Sequence, residues 1–277
     1  ELWIGTESGV YIYNLRTEKY THLRSSEYDP YSLSDNAIYS FCKDREDGIW
    51  IGSYFGGVNY YPRSYTYFEK YYPKGIENSL HGKRVREFCR DSQGILWIGT
   101  EDGGLNRFNL KTKDFSFFAP SAGFTNIHGL CLVDDKLWVG TFSKGLKVID
   151  TRSGVVLKTY QKNDSPRSLI DNSIFAICKT ATGDIYLGTM FGLVRYNKQS
   201  DDFDRIPELN GKFIYDIKED SAGNIWLATY ANGVYCYNVN DRKWKNYVHD
   251  DKDNTSLPYN KVSSVFEDSH RQIWLTT

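Results

Sequence analysis

One phrase, repeated seven times, limits what this chain can fold into. Its fullest copy reads LWIGTEDGGLNRFN from Leu96: a β-rich run, a glycine-containing turn and a second short strand. Other copies begin at Leu2, Ile49, Leu137, Ile185 and Ile225, and a cut-off copy, IWLTT, ends at Thr277. The anchor residues are Trp3, Trp50, Trp97, Trp138, Tyr186, Trp226 and Trp274, spaced 47, 47, 41, 48, 40 and 48 residues apart. Strand-rich units of that period cannot bury both faces alone, so they stack around an axis as the blades of a β-propeller. The expected fold is all-β, with four-stranded antiparallel blades.

Within a unit the strands can be placed. In residues 37–68 they are expected at 38–42, 49–53, 58–61 and near 65–68, with a polar turn at 43–48 and a Gly56-Gly57 turn. No window carries a sustained 3.6-residue apolar period, so almost no helix is expected. A partial first blade (1–23) and a partial last blade (262–277) flank five full blades over about 37–248, in one propeller domain. Both ends supply an anchor strand, which favours seven blades over six and gives the look of a piece cut from a longer protein. The longer units carry an extra loop with a Ser-Leu pair, as in DPYSLSDNAI from Asp29 and DSPRSLIDNSI from Asp164, whose Leu is expected to tuck against the blade. Short units have SAGFTNI from Ser121 and ELNGKFI from Glu208 instead.

Composition removes several function classes. With 34 Lys and Arg against 35 Asp and Glu, nothing favours nucleic acid as a partner. No apolar run reaches 18 residues, so this region is expected to make no membrane contact. There is no zinc-protease, nucleophile-elbow, P-loop or dinucleotide motif, and the five His lack ligand spacing. Asp44, Asp91, Asp220 and Asp268 recur at one repeat position and read as turn residues, not catalytic pairs. Cys42, Cys89, Cys131 and Cys178 likewise repeat and read as small hydrophobes, as does Cys236. The acidic stretch at Asp250, Asp251 and Asp253 lacks a calcium-loop pattern and reads as a solvated loop. No enzyme, metal or cofactor is expected.

The phrase N-S-L-x-x-N, an apolar strand, E/D-D-x-x-G and LWIGT-x-x-G-G-L-N-R-F/Y-N resembles the two-component regulator propeller repeat of hybrid two-component histidine kinases, abundant in Bacteroides-type gut bacteria. Tyr186, Ala228 and Thr276 depart from its Trp and Gly positions, and the Asp47-Gly48 turn is shifted by one. The resemblance implies a periplasmic sensor region, part of an inner-membrane-anchored protein. It also implies a second propeller, a following β-sandwich domain and a kinase module elsewhere in the parent chain, which would act as a homodimer. The signal would be an oligosaccharide or glycan fragment, and the output transcription of glycan-utilisation genes.

Site residues are sought where the copies disagree. Four residues past each anchor stand Glu7, Tyr54, Glu101, Phe142, Met190 and Tyr230, with Phe55 and Phe191 beside two of them. The second residue of each first strand varies likewise: Tyr39, Arg86, His128, Phe175, Tyr215 and Ser263, preceded by Asn36, Lys83, Asn172 and Lys212. Both positions are expected on the upper face of the ring. The ligand-binding candidates are Tyr39, Tyr54, Phe55, Arg86, Glu101, His128, Phe142, Tyr215 and Tyr230, because aromatic faces suit sugar C–H faces and Arg and His supply polar partners. A protein-interaction scaffold is the alternative, in which these aromatics pack between blades or on a partner. A propeller hydrolase or lyase would need clustered acids or a metal trio.

Overall fold

The computed structural model describes residues 1–63, 68–118 and 123–277. It is nearly all antiparallel β-sheet; the one helical turn among the described residues is the 3-10 segment Pro207–Leu209. Two compact units emerge, Glu1–Ser79 and Leu80–Thr277.

The first unit holds two sheets. One is β1 (Leu2–Thr6), β2 (Gly9–Asn14) and β3 (Lys19–Leu23); the other is β4 (Ile38–Lys43), β5 (Ile49–Ser53) and β6 (Val58–Tyr61). The strand expected near 65–68 falls largely on residues 64–67, outside the described residues, as does the start of the loop expected from Ser121.

The second unit begins with the sheet β7 (Val85–Arg90), β8 (Ile95–Thr100), β9 (Gly104–Asn109) and β10 (Phe115–Phe118). Next come β11 (Ile127–Val133), β12 (Lys136–Thr141), β13 (Leu146–Asp150) and β14 (Val156–Tyr160), then β15 (Ile174–Lys179), β16 (Ile185–Thr189), β17 (Gly192–Asn197) and β18 (Asp202–Arg205). A fourth sheet is β19 (Ile214–Glu219), β20 (Ile225–Thr229), β21 (Val234–Asn238) and β22 (Lys243–Tyr247); β23 (Ser264–Glu267) and β24 (Ile273–Thr276) pair last. Innermost strands pack in series, β7 on β11, β11 on β15, β15 on β19 and β19 on β23, as neighbouring propeller blades do.

The recurring Asp organises four of the anchor hairpins. Asp91 Oδ1 accepts the backbone N–H groups of Gln93 and Ile95, both at 2.9 Å, and Oδ2 accepts the Trp97 indole N–H at 3.0 Å. The indole bond recurs from Trp50 to Asp44 at 3.0 Å, Trp226 to Asp220 at 2.8 Å and Trp274 to Asp268 at 2.8 Å. The turn role expected for these Asp residues is therefore borne out, and the indole is the partner that the sequence did not announce. Donation from Trp274 holds the Asp268 carboxyl below the ordinary carboxylate range. At Asp220 desolvation pushes the pKa up, and the bonds from Trp226 and Asn224 outweigh it.

The Thr of each LWIGT phrase closes the opposite end of the anchor strand. Thr100, Thr141, Thr189 and Thr229 are fully buried, and each hydroxyl donates to a glycine carbonyl, of Gly104, Gly145, Gly192 and Gly233, at 2.7 to 2.9 Å. The phrase's Gly lets the next blade approach. A Cβ at Gly99, Gly140 or Gly188 would lie 2.6, 2.7 or 2.7 Å from Cγ2 of Ile127, Ile174 or Ile214. Ala228 breaks the pattern, and there the facing residue of the next blade is the smaller Val262; both are fully buried.

The Ser-Leu loops behave as expected. Ser168 Oγ donates to the Asn163 and Ser165 carbonyls at 3.0 and 2.8 Å, and Leu169 is fully buried. Ser32 and Leu33 repeat this in the first unit, with Leu33 also buried.

Replacing Asp91 tests the hairpin tie. Asp91 is 6% exposed and Trp97 fully buried. Asp91→Ala strands three donors and is expected to cost about 3 kcal/mol of unfolding free energy, at roughly 1 kcal/mol or more per buried unpaired group. Asp91→Asn keeps acceptor oxygen and should cost less, and Asp268→Ala, at a half-buried site, less again. Urea unfolding of the three variants checks the order; equal losses would show that burial does not set the cost.

Candidate functional site

The variable position of each first strand is a β-bulge. Pairing slips between Ile38 and Ser40, Val85 and Glu87, Ile127 and Gly129, Ile174 and Ala176, and Ile214 and Asp216. The residues left over are Tyr39, Arg86, His128, Phe175 and Tyr215. A bulged residue escapes the strand's in-out alternation, so its side chain is re-aimed without disturbing the ladder. The backbone N–H groups of Tyr54, Glu101, Phe142, Met190 and Tyr230 return to carbonyls just before the same bulges, at 2.8 to 3.1 Å. The two variable positions of each blade are thereby held side by side.

In the second unit these pairs join across blades. Arg86 approaches Glu101 at 3.5 Å, and Arg84 approaches it at 3.6 Å. The His128 ring lies 4.5 Å from that of Phe175 and 6.1 Å from that of Phe142. Phe175 meets Phe213 at 4.5 Å and Tyr215 at 5.6 Å, and Tyr215 stacks toward Tyr230 at 5.9 Å. Lys261 Nζ lies 5.1 Å from the centre of the Tyr230 ring. The result is an aromatic arc with cations at either side. Phe175, 7% exposed, is the packed middle of the arc, while Tyr230 and Phe142 stay 45% and 37% exposed. Phe213 and Lys261 were not anticipated. Phe213 sits just before the first strand, at a position that also varies between copies, which was the available signal.

His128 is the chemically distinctive member. It is 7% exposed, its Nε2 lies 2.7 Å from Asn126 Oδ1, and its buried Nδ1 has no hydrogen-bond partner among the described residues. Burial first, and then the Arg86 charge, push its pKa down to about 4, against the opposing pull of Glu101. A neutral imidazole donating through Nε2 leaves Nδ1 as a buried acceptor facing no donor.

The first unit is simpler. Tyr39 stacks on Tyr54 at 5.2 Å, and Phe55 meets Tyr54 edge-on at 4.4 Å. These rings are 67%, 60% and 87% exposed, respectively, for Tyr39, Tyr54 and Phe55.

Other sequence candidates resolve into framework. Asn36 and Asn172 accept the backbone N–H groups of Ser25 and Lys162 at 2.7 Å, so they hold loops. Cys42, Cys89, Cys131 and Cys178 pair across the sheet with Trp50, Trp97, Trp138 and Tyr186. All five cysteines are free thiols, and burial pushes those of Cys89, Cys178 and Cys236 up to about 11. The carboxylates of Asp250 and Asp253 cap their own loop, accepting the N–H groups of Lys252 and Thr255.

The folded pKa of His128 lies below its ordinary 6.5, so protonation favours the unfolded chain. This contribution to stability is intact above pH 6.5 and is expected to fall away as pH drops from 6.5 toward 4. His249 shifts the other way, raised first by the Leu257 carbonyl and then by Asp251. A proton NMR titration should therefore show His249 titrating well above His128. His128→Gln should flatten the stability profile between pH 4 and 6.5; an unchanged profile would place the dependence elsewhere.

The family model described as two component regulator propeller matches residues 32–55, 79–102 and 208–231. Each match runs from the loop before an innermost strand, through the bulge and the Asp–Trp tie, to just past the anchor strand. A histidine kinase from Formosa agariphila is 28% identical over 153 residues, covering 52% of this chain and 11% of the kinase. The extracellular domain of a hybrid two-component system from Bacteroides thetaiotaomicron superposes with a TM-score of 0.63 at 22% identity, covering 99% of this chain and 36% of that one. PorZ, a surface component of the type-IX secretion system of Porphyromonas gingivalis, superposes at 0.57 with 16% identity, over 96% of this chain and 41% of that one. The chain thus spans about a tenth of the kinase and under half of each solved chain. These likenesses give the fold as a β-propeller, and the three matched segments are identified as two-component regulator propeller repeats.

Proposed function

We propose that this propeller is an extracytoplasmic sensor module of a hybrid two-component system, and that it binds an oligosaccharide, or relays its binding, to control glycan-utilisation genes. One observation carries the ligand part of this reading: the aromatic arc from His128 through Phe142, Phe213 and Tyr215 to Tyr230, built on bulge residues and flanked by Arg86 and Lys261. Stacked rings accept the apolar face of a sugar, and the flanking cations suit its hydroxyl or acidic groups. The extracellular assignment is supported by the Bacteroides thetaiotaomicron likeness, and the signalling role by the kinase relative. A second propeller, a β-sandwich and a homodimer of the parent protein belong to the same proposal.

The scaffold reading draws on the first unit. Tyr39, Tyr54 and Phe55 form an exposed aromatic cluster beside Val58, itself 66% exposed, which would suit a protein or domain surface as well as a sugar.

Calorimetric titration of the intact soluble sensor region against plant and host oligosaccharides separates the two. The sensor reading predicts one saturable heat that weakens about fivefold to tenfold in Tyr230→Ala, the loss of one stacked ring at about 1 kcal/mol. Binding that weakens only in Tyr54→Ala would move recognition to the first unit. Binding indifferent to both variants would make this propeller a scaffold beside the site.

A further inference from the structure

A second concave site lies at the other end of the same strands. It is a cavity of about 620 Å³ between the sheet β11–β14 and the sheet β15–β18. The anchor strand β12 runs from Lys136 at this cavity to Thr141, next to Phe142 of the aromatic arc, so the two sites sit at opposite ends of one strand.

The cavity occurs where the Asp–indole tie is missing. The turn into β12 has only two residues, Asp134 and Asp135, with φ of 48° and 59°, the left-handed pair of a tight hairpin. That shortening removes the position from which an Asp would meet Trp138. In the next blade Thr180 replaces the Asp and Tyr186 the Trp, and the Thr180 hydroxyl accepts the Asp184 N–H at 3.0 Å. Two adjacent blades without the tie thus face each other across the cavity.

Its lining has a definite chemistry. Trp138 is 5% exposed, lines the cavity, and its indole N–H has no hydrogen-bond partner among the described residues. Tyr196 meets Trp138 edge-on at 4.9 Å, and Tyr160 is stacked at 6.4 Å. Five cationic side chains line the space against three carboxylates. Lys179 pairs with Asp134 at 2.9 Å, Arg195 with Asp204 at 3.5 Å and Lys158 with Asp201 at 2.5 Å, and Asp201 also accepts the Tyr160 and Tyr196 hydroxyls at 2.6 Å, while Lys136 and Lys198 form no ion pair among the described residues. An indole donor without a protein partner, aromatic walls and two lysines outside any ion pair together call for an anion carried on a ring. The volume falls in the range of about 300–1,000 Å³ typical of small-molecule sites.

We propose that this inter-blade cavity binds a small acidic saccharide, its carboxylate between Lys136 and Lys198 and its ring against Tyr160 and Tyr196, within reach of the Trp138 indole N–H. The inference is independent of the aromatic arc, and its readout is local to Trp138.

The test is a 15N–1H NMR titration of the intact soluble sensor region with D-galacturonate, following the Trp138 indole resonance assigned by Trp138→Phe. The expected result is a saturable shift, absent with D-galactose, and an affinity about tenfold weaker in the exposed-site variant Lys198→Gln, as for loss of one charged hydrogen bond. No movement of the Trp138 resonance overturns the proposal. So does inorganic sulfate shifting it with the same affinity, since the ring would then contribute nothing. Loss of all oligosaccharide heat in Tyr230→Ala, with the Trp138 shift retained, would leave both sites standing separately.

Discussion

The structure depends on a carboxylate that does three jobs at once. In Asp91 one oxygen gathers the N–H groups of a tight turn and the other takes the indole of the anchor Trp. The turn fixes where β7 ends and β8 begins, and the indole fixes the height of Trp97 in the blade. Trp97, fully buried, is packed with Ile127, Leu130 and Leu137 of the next blade. Local turn geometry is thereby coupled to blade-to-blade packing, which is what a chain of units unable to fold singly requires. The Thr–Gly bond at the far end of the strand provides the second fixed point, and between them the phrase LWIGT has little freedom left.

That economy explains which features could be read from the sequence. Strand positions, the Asp turns, the tucked Leu of the Ser-Leu loops and the framework role of the cysteines repeat with the period, and each is satisfied within its own unit. Residues 49–53 and 58–61 were placed as β5 and β6 with the observed limits. The bulges were not legible, because an extra residue at Tyr39 or His128 leaves no mark until the partner strand is known. Nor was the pairing of Arg86 with Glu101, or the alignment of Phe175 with Phe213, since these join residues 15 or more apart through the fold. The missing tie at Trp138 was visible in the sequence as a turn one residue shorter, Cys131 and Trp138 standing seven residues apart where Cys89 and Trp97 stand eight apart, but its consequence needed the neighbouring blade.

The bulge also resolves how a strict repeat carries a variable site. Positions that alternate along a strand are committed to the core or to the next blade; Gly99 against Ile127 leaves no tolerance. The bulged residue stands outside that alternation, so Tyr, Arg, His and Phe occupy it with the hydrogen-bond ladder unchanged. Variation falls on a single position in each bulged strand, beside the residue that follows its anchor strand.

This arrangement sets a requirement on any signal read by the aromatic arc. One stacked ring contributes about 1 kcal/mol, whereas moving a two-state receptor from 1:99 to 99:1 needs about 5.5 kcal/mol of differential affinity. A ligand held by one blade falls short of that. A ligand lying across His128, Phe142, Tyr215 and Tyr230 touches the sheets of two blades, on either side of Phe175, and can sum several such contacts. A ligand long enough to reach both blades meets this condition, and one confined to a single blade does not.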